Sequence, residues 1–366
     1  MPTLTDLVAR FPLVPRPRPA CLPLPQRIRG LTDLAQTAAG AQDPVRAAAV
    51  YNQAALLASD IGLPDLASEL CHQHAHAYLH AAPLPADTAV RALEPVVNLA
   101  RLHIRDQRDN GLDSLLRLFT AVSTGAADRF DDLLLPANLI QPAARQEVRA
   151  WLWRILLADG ARALTTTGRW NEALAHVQEH RGIGTRMLDG RQIAVIAALT
   201  NGETATALQL IAETHPGEPW ERAVTALLHA LCHHTPGDLS RAQEDQLATA
   251  VLSVPNTPGT AVFDVRLRLT ALRAIGSASS PAAQHLVAAA HQCIVEATDG
   301  YTASEFLDHQ QATQAANDRQ IQYCKDLVTA CGLHSAALPP DSEERLANAL
   351  RISGRTIRSS LGDHRV

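Results

Sequence analysis

From about Leu31 onward, alanine- and leucine-rich stretches of helical length alternate with short breakers, "IGLPD", "NGLD", "TTGRW", "TNGET", "HPGEP" and "HTPGD". This rhythm constrains the fold more than any other feature of the chain. Glycine, proline, asparagine and aspartate end a helix within a residue or two, and a connection so short turns the next helix back along the previous one. The expectation is an all-α protein built of successive helical hairpins. Composition agrees with it: 46 % of residues are hydrophobic but only 4 % aromatic, and an apolar share made chiefly of alanine and leucine favours closely packed helices over sheets. At 366 residues the chain exceeds the size at which one compact core stops growing, so it must form two domains or an elongated array.

The segment before the first helical stretch has a different character. Pro12, Pro15, Pro17, Pro19, Pro23 and Pro25 forbid a regular helix and predict an extended, polyproline-like arm over residues 1–30. The helical array is then expected over 31–300, with helices over 301–366 capping it.

Within the array one spacing recurs. When "LADGARALTTTGRWNEALAHV" is set over "QIAVIAALTNGETATALQLI", Gly168 falls on Gly202, Ala173 on Ala207 and Leu174 on Leu208. The frame also takes in Tyr51, Gly62 and Ala67 and, loosely, Gly111. The pattern resembles the tetratricopeptide repeat, whose period is about 34 residues. That resemblance implies a right-handed α-solenoid in which a glycine closes the first helix of each hairpin and a small residue five positions on admits the second. The large aromatic and paired glycine usual in the first helix are mostly replaced by alanine here, and an irregular helical bundle is the alternative architecture.

Several chemistries lack their usual residues. Lys325 is the sole lysine, and no glycine loop precedes it, so neither a phosphate-binding loop nor a pyridoxal Schiff base has its anchor. No GxGxxG or GxSxG motif is present. A net charge of −5 does not describe a surface built as a whole for nucleic acid. The six cysteines form no CxxC pair, and no stretch approaches the length of a membrane span. These features predict reduced thiols, a cytoplasmic location, no membrane partner and no cofactor.

Three histidine clusters raise the question of a metal. "ELCHQHAHAYLHAA" puts His72, His76 and His80 on one helical stripe, with His74 elsewhere, but no third ligand type stands nearby at a recognisable spacing. "HVQEH", His176 to His180, matches an inverted zinc-peptidase pattern. "LLHALCHH" brings His229, Cys232 and His233 to helical spacing. A histidine-rich helix face, inward packing and a helix cap explain all three without a metal.

The repeat resemblance implies that first helices line a groove, with Asn52, Arg101, Arg105, Arg108, Arg162 and Gln192 facing a peptide or protein partner. Arg101, Arg105 and Arg108 would form a basic ridge, or else a solvated face pairing with Asp106 and Asp109. As an exposed ridge residue, Arg105 should tolerate reversal to glutamate with little loss of stability. The terminal stretch "RLANALRISGRTIRSSLGDHRV" resembles a bacterial helix-turn-helix over 343–363, turning at Ile352 and Ser353, and implies DNA contacts from Arg355, Thr356 and Arg358. The expected function is non-catalytic binding of a peptide or protein partner in the concave groove, in a regulatory role. The alternatives are a transcriptional regulator with a terminal DNA-binding element, and an enzyme or enzyme partner in a ribosomal peptide pathway, the last resting on a likeness to actinobacterial helical-repeat proteins.

Overall fold

The computed structural model describes residues 10–106, 110–232, 239–257 and 259–362, together with Leu4 and Val8. Among the described residues there are 17 α-helices and one short β-hairpin, so the protein is all-α. It divides into two compact units, each discontinuous in sequence: Pro23–Ala163 with Gly332–Val366, here the first unit, and Met1–Leu22 with Leu164–Cys331, the second.

In the first unit α1 (Leu24–Ala41), α2 (Pro44–Asp60), α3 (Pro64–Leu79), α4 (Ala86–Arg105) and α5 (Asn110–Thr124) precede β1 (Asp128–Phe130), β2 (Leu133–Leu135) and most of α6 (Arg145–Thr166). The strands pair antiparallel, with Arg129 opposite Leu134. The second unit continues with α7 (Trp170–Glu179), α8 (Asp189–Thr200), α9 (Thr204–Ala212), α10 (Pro219–Cys232) and α11 (Arg241–Leu252). It ends in α12 (Ala261–Ile275), α13 (Pro281–Ala297), α14 (Gly300–Leu307), α15 (Gln310–Ala315) and α16 (Asp318–Ala330). The last helix, α17 (Pro340–Gly362), returns to the first unit and packs on α1, α2 and α3. Residues 301–366 are therefore shared between the two units and do not make one terminal block.

Elsewhere several helices pack on their neighbours in sequence, α1 on α2, α2 on α3 and α3 on α4 in one unit, α8 on α9 and α12 on α13 in the other, whereas α14 packs chiefly on α16 and α12. Ile28, Leu31, Leu57, Leu70, Tyr78, Leu93, Leu346 and Ile357 belong to the apolar core of the first unit.

The 34-residue spacing has a direct structural counterpart. At the turns α2/α3, α6/α7 and α8/α9, Gly62, Gly168 and Gly202 have φ of 84°, 74° and 79°. The same pair of hydrogen bonds closes each turn: Gly62 N to Ser59 O and Leu63 N to Ala58 O, then Gly168 N to Thr165 O and Arg169 N to Leu164 O, then Gly202 N to Leu199 O and Glu203 N to Ala198 O. This is the Schellman closure, which satisfies carbonyls at the helix end and needs a left-handed residue. Five positions past each glycine, Ala67, Ala173 and Ala207 are fully buried. Gly111 does not share this role, since it lies inside α5 pressed against Ile104.

A Cβ added at Gly202 would meet nothing within 4 Å, so Gly202→Ala isolates the backbone term. We expect a loss of about 1 kcal/mol, read as a fall of the thermal midpoint by about 2–4 °C. An unchanged midpoint would show that the turn does not hold this conformation in solution.

Two expectations about the ends of the chain are corrected. The extended arm stops at Pro23, because α1 starts at Leu24 with a proline in its first turn, a position where the missing N–H costs nothing. The terminal helix-turn-helix is absent, since α17 runs unbroken through Ile352 and Ser353. Ser353 is fully buried, and a Cβ on Gly354 would lie 2.8 Å from Tyr51 Oη, whose hydroxyl donates to Leu350 O at 3.2 Å. The small pair that reads as a turn lets α17 approach α2.

Candidate functional site

Five polar residues of the first unit form one ladder across α2, α4 and α6. Asn52 Nδ2 donates to Glu94 Oε2 at 2.8 Å, and Asn98 Nδ2 donates to Asn52 Oδ1 at 3.1 Å. Arg101 Nη1 donates to Asn98 Oδ1 at 3.1 Å, while its Nε donates to Asp159 Oδ2 at 2.8 Å. Glu94, Asn98 and Arg101 fall at helical spacing on α4, which puts them on one stripe.

Glu94 is half-buried, and burial raises its carboxyl pKa; the hydrogen bond from Asn52 and the charges of Arg91 and Arg101 oppose that rise. The Arg101 side chain is 49 % exposed beside an Asp159 side chain that is 12 % exposed. The ladder thus offers amide donors and acceptors and a guanidinium on a partly dry surface, groups suited to the backbone amides and carboxylates of an extended peptide.

The other expected groove residues take different places. Arg105 does not stand on a basic ridge: its Nη1 donates to Asp60 Oδ1 at 2.9 Å and to Ser59 Oγ at 2.7 Å. The Asp60 side chain is 1 % exposed and also takes Arg27, so Arg105 closes a buried ion-pair cluster. Arg108 lies outside the described residues. Arg162 is exposed on α6. Gln192 is fully buried, its Nε2 donating to Met187 O at 2.9 Å, and does not face a groove.

On α17, Arg355 and Arg358 are exposed and Thr356 is half-buried, with its hydroxyl bonded to Ile352 O of the same helix. These three residues sit along one continuous helix rather than at the head of a recognition element.

Among the histidines, His74 is 1 % exposed and stacks on Tyr51 with ring centroids 5.2 Å apart and an interplanar angle of 12°. His76 and His80 are exposed and His72 half-buried. His176 and His180 meet edge-on at 4.7 Å, but Glu179 is exposed. Exposed His229 and buried Cys232 end α10, and His233 lies outside the described residues. Among the described residues no three His, Cys, Asp or Glu side chains come together as a metal-ligand set. Burial pushes the thiols of Cys71, Cys232, Cys293 and Cys324 up to about 12, 11, 11 and 11, which holds them as thiols at neutral pH.

Sequence reading alone missed Glu94, Asn98 and Asp159. The signal in the sequence is the i, i+4, i+7 spacing of Glu94, Asn98 and Arg101 on one helix, with Asp159 three residues before Arg162. No helix among the described residues is long and apolar enough to cross a membrane. Comparison with protein-family models, curated proteins and solved structures finds no match to the chain.

Proposed function

We propose that the protein is a non-catalytic helical-repeat binder that holds an extended peptide segment of a partner protein across α2, α4 and α6. The observation that carries this reading is the ladder Glu94–Asn52–Asn98–Arg101–Asp159. Five polar side chains on three different helices satisfy one another in a row, and a core has no need of such a row. Isolated polar groups at helix contacts bring no stability by themselves, whereas a row of half-buried amides and charges is a template for a peptide backbone.

The three identical hairpin closures, and the packing of α1 on α2, α2 on α3, α3 on α4 and α8 on α9, support a solenoid of the tetratricopeptide kind as the frame. In such an array alternate helices present their stripes on one side.

Selection of random displayed peptides against the purified chain tests the proposal. Peptides so recovered should bind Arg101→Gln at least tenfold more weakly, since a charged hydrogen-bond donor in a partly desolvated contact is worth roughly 2 kcal/mol. They should bind Arg154→Gln, altered at an exposed position of α6, as they bind the original. Equal binding to all three proteins would place the peptide site elsewhere and overturn the assignment.

A further inference from the structure

Residues 10–21 of the second unit, "RFPLVPRPRPAC", run without helix or strand against the rest of that unit. Four prolines within this stretch leave its backbone without internal hydrogen bonds, so its groups must be satisfied by other parts of the chain or by water.

The unit meets it at successive points. Arg10 Nη1 lies 3.1 Å from Asp308 Oδ2 and 3.4 Å from Glu305 Oε2, and Arg16 pairs with Asp189 at the start of α8. The Arg18 guanidinium stands 3.6 Å over the Tyr301 ring, a cation–π contact, and its amide donates to Gly259 O at 3.1 Å. Cys21 is clamped through its backbone: its N–H donates to Asp299 Oδ1 at 3.0 Å, and its carbonyl accepts from Gly300 N at 2.8 Å. Phe11, Pro12 and Leu13 are buried, and Leu13 is held at φ 54°, a backbone state unfavourable for leucine.

Acidic side chains, an aromatic face and backbone acceptors thus read arginines set among prolines. We propose that this face of the second unit, formed by the start of α8, the turn before α12, and α14, is a binding site for extended, proline-rich, arginine-bearing peptide segments of a partner protein, and that residues 14–18 are a resident ligand which such a segment displaces.

The physical basis is the uneven strength of the anchors. The Asp299–Cys21 clamp is buried, with Asp299 3 % and Cys21 0 % exposed. Phe11, Pro12 and Leu13 are buried as well, whereas Val14 to Arg18 are half-buried or exposed and Arg16 holds Asp189 with 29 % of its own side chain in solvent, so this stretch is the weakly held one. Residues 14–18 can therefore leave while Leu13 and Cys21 stay. Tethering gives the arm an effective concentration on the order of millimolar, so a separate peptide competes only at comparable concentration or with better contacts.

The test uses the full chain and a fluorescein-labelled peptide with the sequence of residues 10–20. The variant Arg16→Glu with Arg18→Glu weakens the resident arm without touching the face that receives it. That variant should bind the peptide at least tenfold more tightly than the original protein does, and a peptide carrying glutamate at the same two positions should bind neither. Equal binding by variant and original, or no saturable binding to the variant, overturns the proposal. A second measurement needs no variant: in the original protein, saturating peptide should speed hydrogen exchange at the Arg18 amide, which is bonded to Gly259 O, and leave the Cys21 amide protected. Unchanged exchange at Arg18 overturns it equally.

Discussion

Asp60→Ala should destabilise the first unit by roughly 3–5 kcal/mol, the range for removing one member of a buried ion pair and leaving its partners uncompensated. Asp60 ends α2 with its side chain 1 % exposed, taking Arg27 Nη2 at 2.7 Å on one oxygen and Arg105 Nη1 at 2.9 Å on the other. The Arg27 side chain is itself only 10 % exposed, so water cannot simply replace the lost carboxylate. The same geometry reverses the expectation that Arg105 tolerates a change of sign. Although the Arg105 side chain is 39 % exposed, Arg105→Glu sets a second carboxylate against the buried Asp60 and should cost about 1–3 kcal/mol, more than the loss of an exposed ion pair alone. Urea denaturation followed by circular dichroism measures both. Variants that unfold within about 0.5 kcal/mol of the original would show that the cluster does not form in solution.

The second large effect is a dependence on pH that one substitution removes. Burial pushes the His74 imidazole down to about 3 from an ordinary 6.5, and neither ring nitrogen has a hydrogen-bond partner among the described residues. Because the folded pKa is depressed, the unfolded chain binds the proton more readily. The associated stability is complete above pH 6.5, declines as pH falls, and is fully lost below about 3. At one unit per about 1.4 kcal/mol, some 2–3 kcal/mol should be gone at pH 4.5. His74→Leu keeps an apolar group between Tyr51 and Tyr78 and carries no proton. It should be within about 1 kcal/mol of the original at pH 7.5 and more stable by about 2 kcal/mol at pH 4.5. His309, which burial lowers to about 4, is present in both proteins, so the difference reports His74. Parallel stability curves for the two proteins from pH 7.5 to 4.5 would refute the assignment.

Features that depend on the local chain were legible before any coordinates. The glycine at the turn and the alanine five residues on are fixed by the backbone of one hairpin, and Gly62, Gly168 and Gly202 show the same closure bond for bond. Features that depend on distant packing were not. Nothing near Asp60 in the sequence marks it as buried; that follows from Arg27 and Arg105 arriving from other helices. Gln192 reads as a groove residue by register, but α8 is buried on every side from Gly190 to Leu199, and a register has meaning only on a helix with an exposed face. The "SGR" of α17 carries the same signal for a turn and for a tight helix crossing. Tyr51, whose hydroxyl reaches Leu350 O of α17 299 positions along the chain, decides between them. The ladder was half visible: Asn52 and Arg101 were found, while Glu94, Asn98 and Asp159 were passed over because single polar residues on apolar helices carry no motif.

The first unit draws its core from both ends of the sequence, and this gives its birth a timetable. A ribosome adding about 5–20 residues per second needs roughly 15–60 s to travel the 299 positions from Tyr51 to Leu350. Throughout that interval Ile28, Leu31 and Tyr51 wait for a helix not yet made. α1 and α2 are covered only after the residues between them and α17 have been made, so the tempo of translation across that interval sets how long this apolar face stands open to nascent-chain chaperones and to neighbouring copies of itself.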